Sequence, residues 1–102
     1  MVELTSTQAK YLRGMAHALK PVVLIGQKGL TNELIRSTEE AFERHELIKV
    51  KFVDYKEKKQ KSEIARALEA RTGSHLAGMI GHIAIIYRQH PDPEKRKIVL
   101  PK

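Results

Sequence analysis

Gly26-Gln27-Lys28-Gly29 is the segment whose residue types and spacing are most able to do chemistry. It sits between an apolar run, Val22 to Ile25, and a stretch with helical spacing that opens at Thr31. Glycines permit positive φ and let another backbone approach closely. The first turn of the following helix leaves N–H donors without intrahelical partners, and these donors, together with the helix dipole, attract an anion. Lys28 adds a mobile cation at the same point. The chemistry implied is the cradling of phosphate, and the candidate residues are Gly26, Gln27, Lys28, Gly29 and Thr31. The spacing predicts a turn at the amino end of the helix with Gly26 and Gly29 exposed.

A second segment of the same spacing, Gly78-Met79-Ile80-Gly81, serves as an internal control. Its middle residues are apolar and no helix follows to supply donors. It reads as structural, with Gly81 serving a hairpin. Three further groups are basic. Lys10, Arg13, His17 and Lys20 recur at offsets of three, four and three, which places them along one helix face leading toward the glycine loop. No acidic residue interrupts that ridge, so Lys10, Arg13 and Lys20 join the candidates. Lys56, Lys58, Lys59 and Lys61, and the tail cluster Lys95-Arg96-Lys97, are either phosphate contacts or solubility devices.

Other chemistries lack their residues. There is no cysteine, so no disulfide framework, thiolate metal site or cysteine nucleophile exists. The five histidines are scattered without metal-ligand spacing, and no metal or cofactor is expected. No nucleophile triad, P-loop or dinucleotide fingerprint is present. Glu39, Glu40 and Glu43 belong to the polar side of a helix. The chain is therefore expected not to be an enzyme.

The 102 residues that must position these groups fit one domain, 1–102, with a basic tail over 89–102. Net charge is +7 and the pI about 9.8, an electrostatic footprint suited to nucleic acid. Aromatics make up only 5%, which argues against a large base-stacking platform. No apolar run approaches the roughly 20 residues needed to span a bilayer, and the N-terminus lacks a signal-peptide pattern. A cytoplasmic monomer is expected.

Periodicity predicts a helix over Ser6–Ala18, opened by a Thr5/Gln8 capping box, with Leu12, Met15, Ala16 and Leu19 inward. Val22–Ile25 reads as a strand buried on both faces. A second helix capped by Thr31 ends near His45, with Leu34, Ile35, Thr38, Ala41 and Phe42 inward. Leu47–Val53 alternates as a strand, and Asp54–Lys61 reads as a polar loop. A third helix over Ser62–Arg71 stops at Thr72-Gly73. Leu76–Ile80 and Ile83–Tyr87 form a hairpin around Gly81-His82. Ile98-Val99-Leu100 is a candidate edge strand. The order α-β-α-β-α-β-β gives an α/β fold, a mixed sheet with helices packed on it.

The run from Leu19 to Thr31 resembles the signature of the CRM domain (chloroplast RNA splicing and ribosome maturation) in its small bacterial YhbY-like form. His45 to Lys51, Thr72-Gly73, the hairpin ending in Tyr87-Arg88 and Lys97 to Pro101 fit the same family. The resemblance implies a four-stranded mixed sheet similar to the C-terminal domain of translation initiation factor three. It also implies RNA binding through the loop Gly26 to Gly29, and an association with ribosomal RNA of the large-subunit precursor. The lysine-rich Asp54–Lys61 segment departs from the family pattern. The rival readings are a translation-linked factor on mature subunits, a subunit of a nucleic-acid-modifying enzyme, and an interaction domain whose charge only aids solubility.

Overall fold

The structure, a computed structural model, describes residues 3–55 and 57–102. Helix α1 spans Ser6–Ala16. Thr5 Oγ1 accepts the Gln8 N–H at 3.1 Å, and Gln8 Oε1 accepts the Thr5 N–H at 3.0 Å, so the expected capping box forms. The helix stops two residues short of Ala18. Leu12 and Ala16 are buried, but Met15 and Leu19 are exposed, contrary to the four-residue inward face expected. The helix rests on the sheet along a narrow line of residues four apart, and Leu19 lies beyond its end.

Strand β1 spans Val23–Ile25. Val23 and Ile25 are buried while Leu24 is 61% exposed. The expectation of a strand covered on both faces is therefore corrected: β1 is an edge strand and only one of its faces meets helices. Helix α2, Asn32–Arg44, begins at the expected cap, where Thr31 Oγ1 accepts the Leu34 N–H at 3.1 Å. Leu34, Thr38 and Phe42 are buried, and the Thr38 hydroxyl donates to the Leu34 carbonyl at 2.8 Å. A buried hydroxyl must find such a partner. Strand β2, Leu47–Phe52, follows and keeps the expected alternation of Ile48, Val50 and Phe52.

Helix α3 spans Lys58–Thr72, four residues longer at its start than Ser62. Lysine is a good helix former, and Lys61 is no loop residue. It is buried, and its Nζ donates to the Gly81 carbonyl at 2.8 Å. The helix ends at Gly73 in the left-handed conformation, φ 65°. Strands β3 (His75–Ile80) and β4 (Ile83–Tyr87) pair through a two-residue turn in which Gly81 alone has positive φ. That is the requirement of a type II′ hairpin with glycine first.

The sheet order is β1-β2-β4-β3, with β1 and β2 parallel and the other pairs antiparallel. Helices α2 and α3 cover one face around Ile25, Phe42, Val50, Phe52 and Leu68. Helix α1 covers part of the other around Leu12, Leu47, Ile85 and Tyr87. The closing segment packs on this second face through Ile98 and Leu100, while Val99 is 85% exposed. It carries no strand, so it docks without the edge pairing considered for it. Its anchors are the Glu46 carboxylate and the Gln8 amide, which donates to the Pro101 carbonyl at 3.0 Å. Among the described residues no helix is long and apolar enough to cross a membrane, and no cluster of side chains fits a metal ion.

Candidate functional site

The chain leaves β1 at Ile25 and must reverse direction to start α2. It does so in a turn closed by the Gly29 N–H donating to the Gly26 carbonyl at 3.0 Å. Gln27 and Lys28 stand exposed at the tip. Gly29 follows with φ 66°. Tyr55 fixes the turn from inside. Its hydroxyl donates to the Gln27 carbonyl at 2.9 Å, and its ring stands edge-on to Phe52 at 6.5 Å.

This brace corrects the expectation that both glycines are exposed. Gly29 is buried against Tyr55, and Gly26 is half-buried. A Cβ at Gly29 would lie 2.9 Å from the Tyr55 hydroxyl. Gly29 is needed by the fold. Gly26 is different: its φ is not positive, and a Cβ there would meet only Asp54 Oδ2 at 3.8 Å, an ordinary contact.

The Gly29 N–H is spent on the turn and the Leu34 N–H on the Thr31 cap. Among the described residues, the N–H groups of Gln27, Lys28, Asn32 and Glu33 have no protein acceptor. Gln27, Lys28 and Glu33 line a cavity of about 450 Å3 together with Gly26, Gly29 and Thr31. An anion in that cavity would meet backbone donors, the positive end of α2 and the Lys28 ammonium.

The α1 ridge does not join this site. Lys10 and Lys20 are exposed, Lys20 just ahead of β1 at the end away from the loop. Arg13 is half-buried over β3, where its Nη1 donates to the Ala77 carbonyl at 2.8 Å. Three strand spacings separate β3 from β1, about 14 Å at the usual interval. Arg13 also explains the control motif. A Cβ at Gly78 would lie 2.6 Å from its Cδ, so that glycine serves packing, as its sequence context indicated.

The central lysines come closer to the loop than the ridge does. Because β1 and β2 are parallel, the starts of α2 and α3 lie at the same end of the sheet. The β3–β4 hairpin shares that end, since the Phe52 N–H donates to the His82 carbonyl at 2.8 Å. Lys58 and Lys59 are exposed in the first turn of α3, while Lys61 is spent inside on Gly81 and lies 3.3 Å from His82 Nδ1. Lys56 lies outside the described residues. In the tail, Lys95 and Lys97 are exposed, and Arg96 Nε donates to the His90 carbonyl at 2.7 Å. Sequence spacing missed Tyr55 as the brace of the loop. The available signal was a single aromatic in an otherwise charged segment.

Comparison with known proteins gives a consistent result. The model of the CRS1/YhbY (CRM) domain matches residues 4–88. A Haemophilus influenzae protein named an RNA-binding protein is 39% identical over 102 residues, covering 100% of this chain and 99% of its own. A Bacillus subtilis protein named a probable RNA-binding protein is 35% identical over 98 residues, 96% of this chain and 99% of its own. A Staphylococcus aureus protein of known solution structure, described as a candidate RNA-binding protein, shares the fold with a TM-score of 0.82. It is 34% identical, and the match covers 96% of this chain and 99% of that one.

Proposed function

The chain belongs to the CRS1/YhbY (CRM) domain family, and from that premise we propose that it is a non-catalytic RNA-binding protein that grips the phosphate backbone at the loop Gly26 to Gly29. The observation that carries the reading is the set of unspent N–H groups of Gln27, Lys28 and Glu33, residues that line one cavity at the start of α2. Such donors attract phosphate without regard to base identity. The names of the relatives support RNA as the polyanion. Net charge of +7 supports long-range attraction. The family resemblance supports the finer reading, ribosomal RNA of the large-subunit precursor bound by a cytoplasmic monomer during assembly. Sedimentation of lysate tests that part: the protein is expected with immature large-subunit particles, and a free or small-subunit distribution sinks it.

Salt dependence tests the contact itself. If about five phosphates are neutralised, log affinity for single-stranded RNA falls with log salt at a slope near −3.5, from about −0.7 per phosphate. Lys58→Ala and Lys59→Ala together are expected to flatten the slope by about 1.4. Lys10→Ala, on α1 and away from the loop end, is expected to change it less. A parent slope near zero rules out phosphate gripping.

A further inference from the structure

The glycine loop is one end of a longer groove. From the loop it follows the open edge of β1 as the cavity of about 450 Å3, and then continues past Val22 to Arg44 and His45 as a second of about 300 Å3. One wall is the edge of β1. Ile25 accepts the Val53 N–H at 3.0 Å, so its carbonyl points toward β2. Strand alternation then turns the N–H and C=O of Leu24 to the open side, where no strand follows in the sheet order. The facing wall is α2, where Glu33, Ser37, Glu40 and Arg44 succeed one another at helical spacing.

Resting on the reading of the loop as a phosphate grip, we infer that this groove takes the unpaired bases of single-stranded RNA, about four nucleotides long. Four nucleotides is the length a GXXG loop clamps in KH domains. The walls offer a backbone amide, a hydroxyl and two carboxylates, a mixture of donors and acceptors suited to the edges of bases. At the loop mouth one phosphate meets the α2 donors; beyond it the Glu33 and Glu40 carboxylates repel phosphate, so the rest of the sugar-phosphate chain keeps to the outer rim. That rim is positive at both ends, with Lys28 and the α2 donors at one and Arg44, with Lys20 just ahead of Val22, at the other. A duplex presents its bases to each other and cannot place them in a slot between a strand edge and a helix. An extended peptide could also add to the edge of β1. The rim charges and the direct opening onto the phosphate donors favour RNA.

Two substitutions fill the groove from the α2 wall, Ser37 in the cavity the loop also lines and Glu40 beyond it. Ser37→Trp is at an exposed helix position and leaves the net charge unchanged. Glu40→Trp sits about one turn further along the same wall and removes a negative charge, which on electrostatics alone strengthens RNA binding. The probes are an unstructured RNA oligonucleotide and a hairpin duplex of matched length, followed by fluorescence anisotropy at fixed salt, with thermal unfolding as the check on folding. The parent is expected to prefer the oligonucleotide. Each variant is expected to fold like the parent and to lose about tenfold on the oligonucleotide, roughly one good base contact, but not on the duplex. If either folded variant binds the oligonucleotide as the parent does while Lys28→Ala weakens it, the groove assignment falls and the loop reading stands. A parent that prefers the duplex also overturns the groove. A parent that binds neither probe overturns both.

Discussion

Gly29→Val is expected to destabilise the domain by about 3 kcal/mol, whereas Gly26→Val is expected to fold normally and lose RNA binding. A β-branched residue at φ 66° costs on the order of 1–3 kcal/mol in backbone strain alone. Its Cβ would also displace the Tyr55 hydroxyl, which now lies 2.9 Å from that position. Displacement breaks the bond to the Gln27 carbonyl, about 1 kcal/mol, and disturbs the edge-on contact with Phe52. Gly26 carries neither constraint, since its φ is not positive and the nearest atom to a Cβ is 3.8 Å away. Gly26 itself lines the cavity beside the unspent donors, so a valine there is expected to keep an RNA backbone from closing on them. Thermal unfolding and RNA anisotropy on the same two variants separate the effects. A stable Gly29→Val would show that Tyr55 yields easily. A Gly26→Val that binds RNA like the parent would remove the case for close backbone approach at the loop.

Much of this arrangement was legible in the sequence, and the failures share a cause. The Thr31 cap, the Thr5/Gln8 box, the alternation in β2 and the Gly81 hairpin follow from neighbours a few residues apart, and they formed as read. What failed depended on partners distant in the chain. The apolar run Val22–Ile25 reads the same for a central strand or an edge, and only the position of β1 in the sheet exposes Leu24. The ridge spacing put Lys10, Arg13 and Lys20 on one face of α1 but could not show that Arg13 lies across Gly78. The lysines of Asp54–Lys61 read as loop because their charge suggested solvent. The carbonyl of Gly81 that Lys61 satisfies lies twenty residues later. Gly29 reads as exposed in the sequence, which does not show that Tyr55 occupies its inner side.

The tail carries the second large expected effect, through Glu46, a residue that was not among the site candidates. It is buried, and its carboxylate accepts three backbone N–H groups: His90 at 2.9 Å on Oε2, and Lys97 at 2.7 Å and Ile98 at 3.0 Å on Oε1. Burial pushes its pKa up. The bonds from His90, Ile98 and Lys97, with the His90 charge, outweigh that and hold it below the usual value of 4.5. A group whose pKa is lowered by folding contributes stability above its unfolded pKa and loses it as pH falls through the folded one. Tail docking is therefore expected to be complete at neutral pH and to weaken progressively below about pH 4.5. Glu46→Ala is expected to cost about 2–3 kcal/mol at neutral pH by leaving these donors without the carboxylate. Glu46→Gln is expected to cost less, since one oxygen still accepts while the amide NH2 faces the His90 N–H. Both variants should approach the parent in stability on acidification, because protonation removes the same charge from the parent. Hydrogen exchange at the Lys97 and Ile98 amides reads docking directly, and chemical denaturation at neutral and acid pH reads the energy. If those amides stay protected in Glu46→Ala, or if the parent shows no greater loss of stability in acid than Glu46→Ala, the tail is held by Ile98 and Leu100 packing and the Gln8 bond to Pro101, and the carboxylate is incidental.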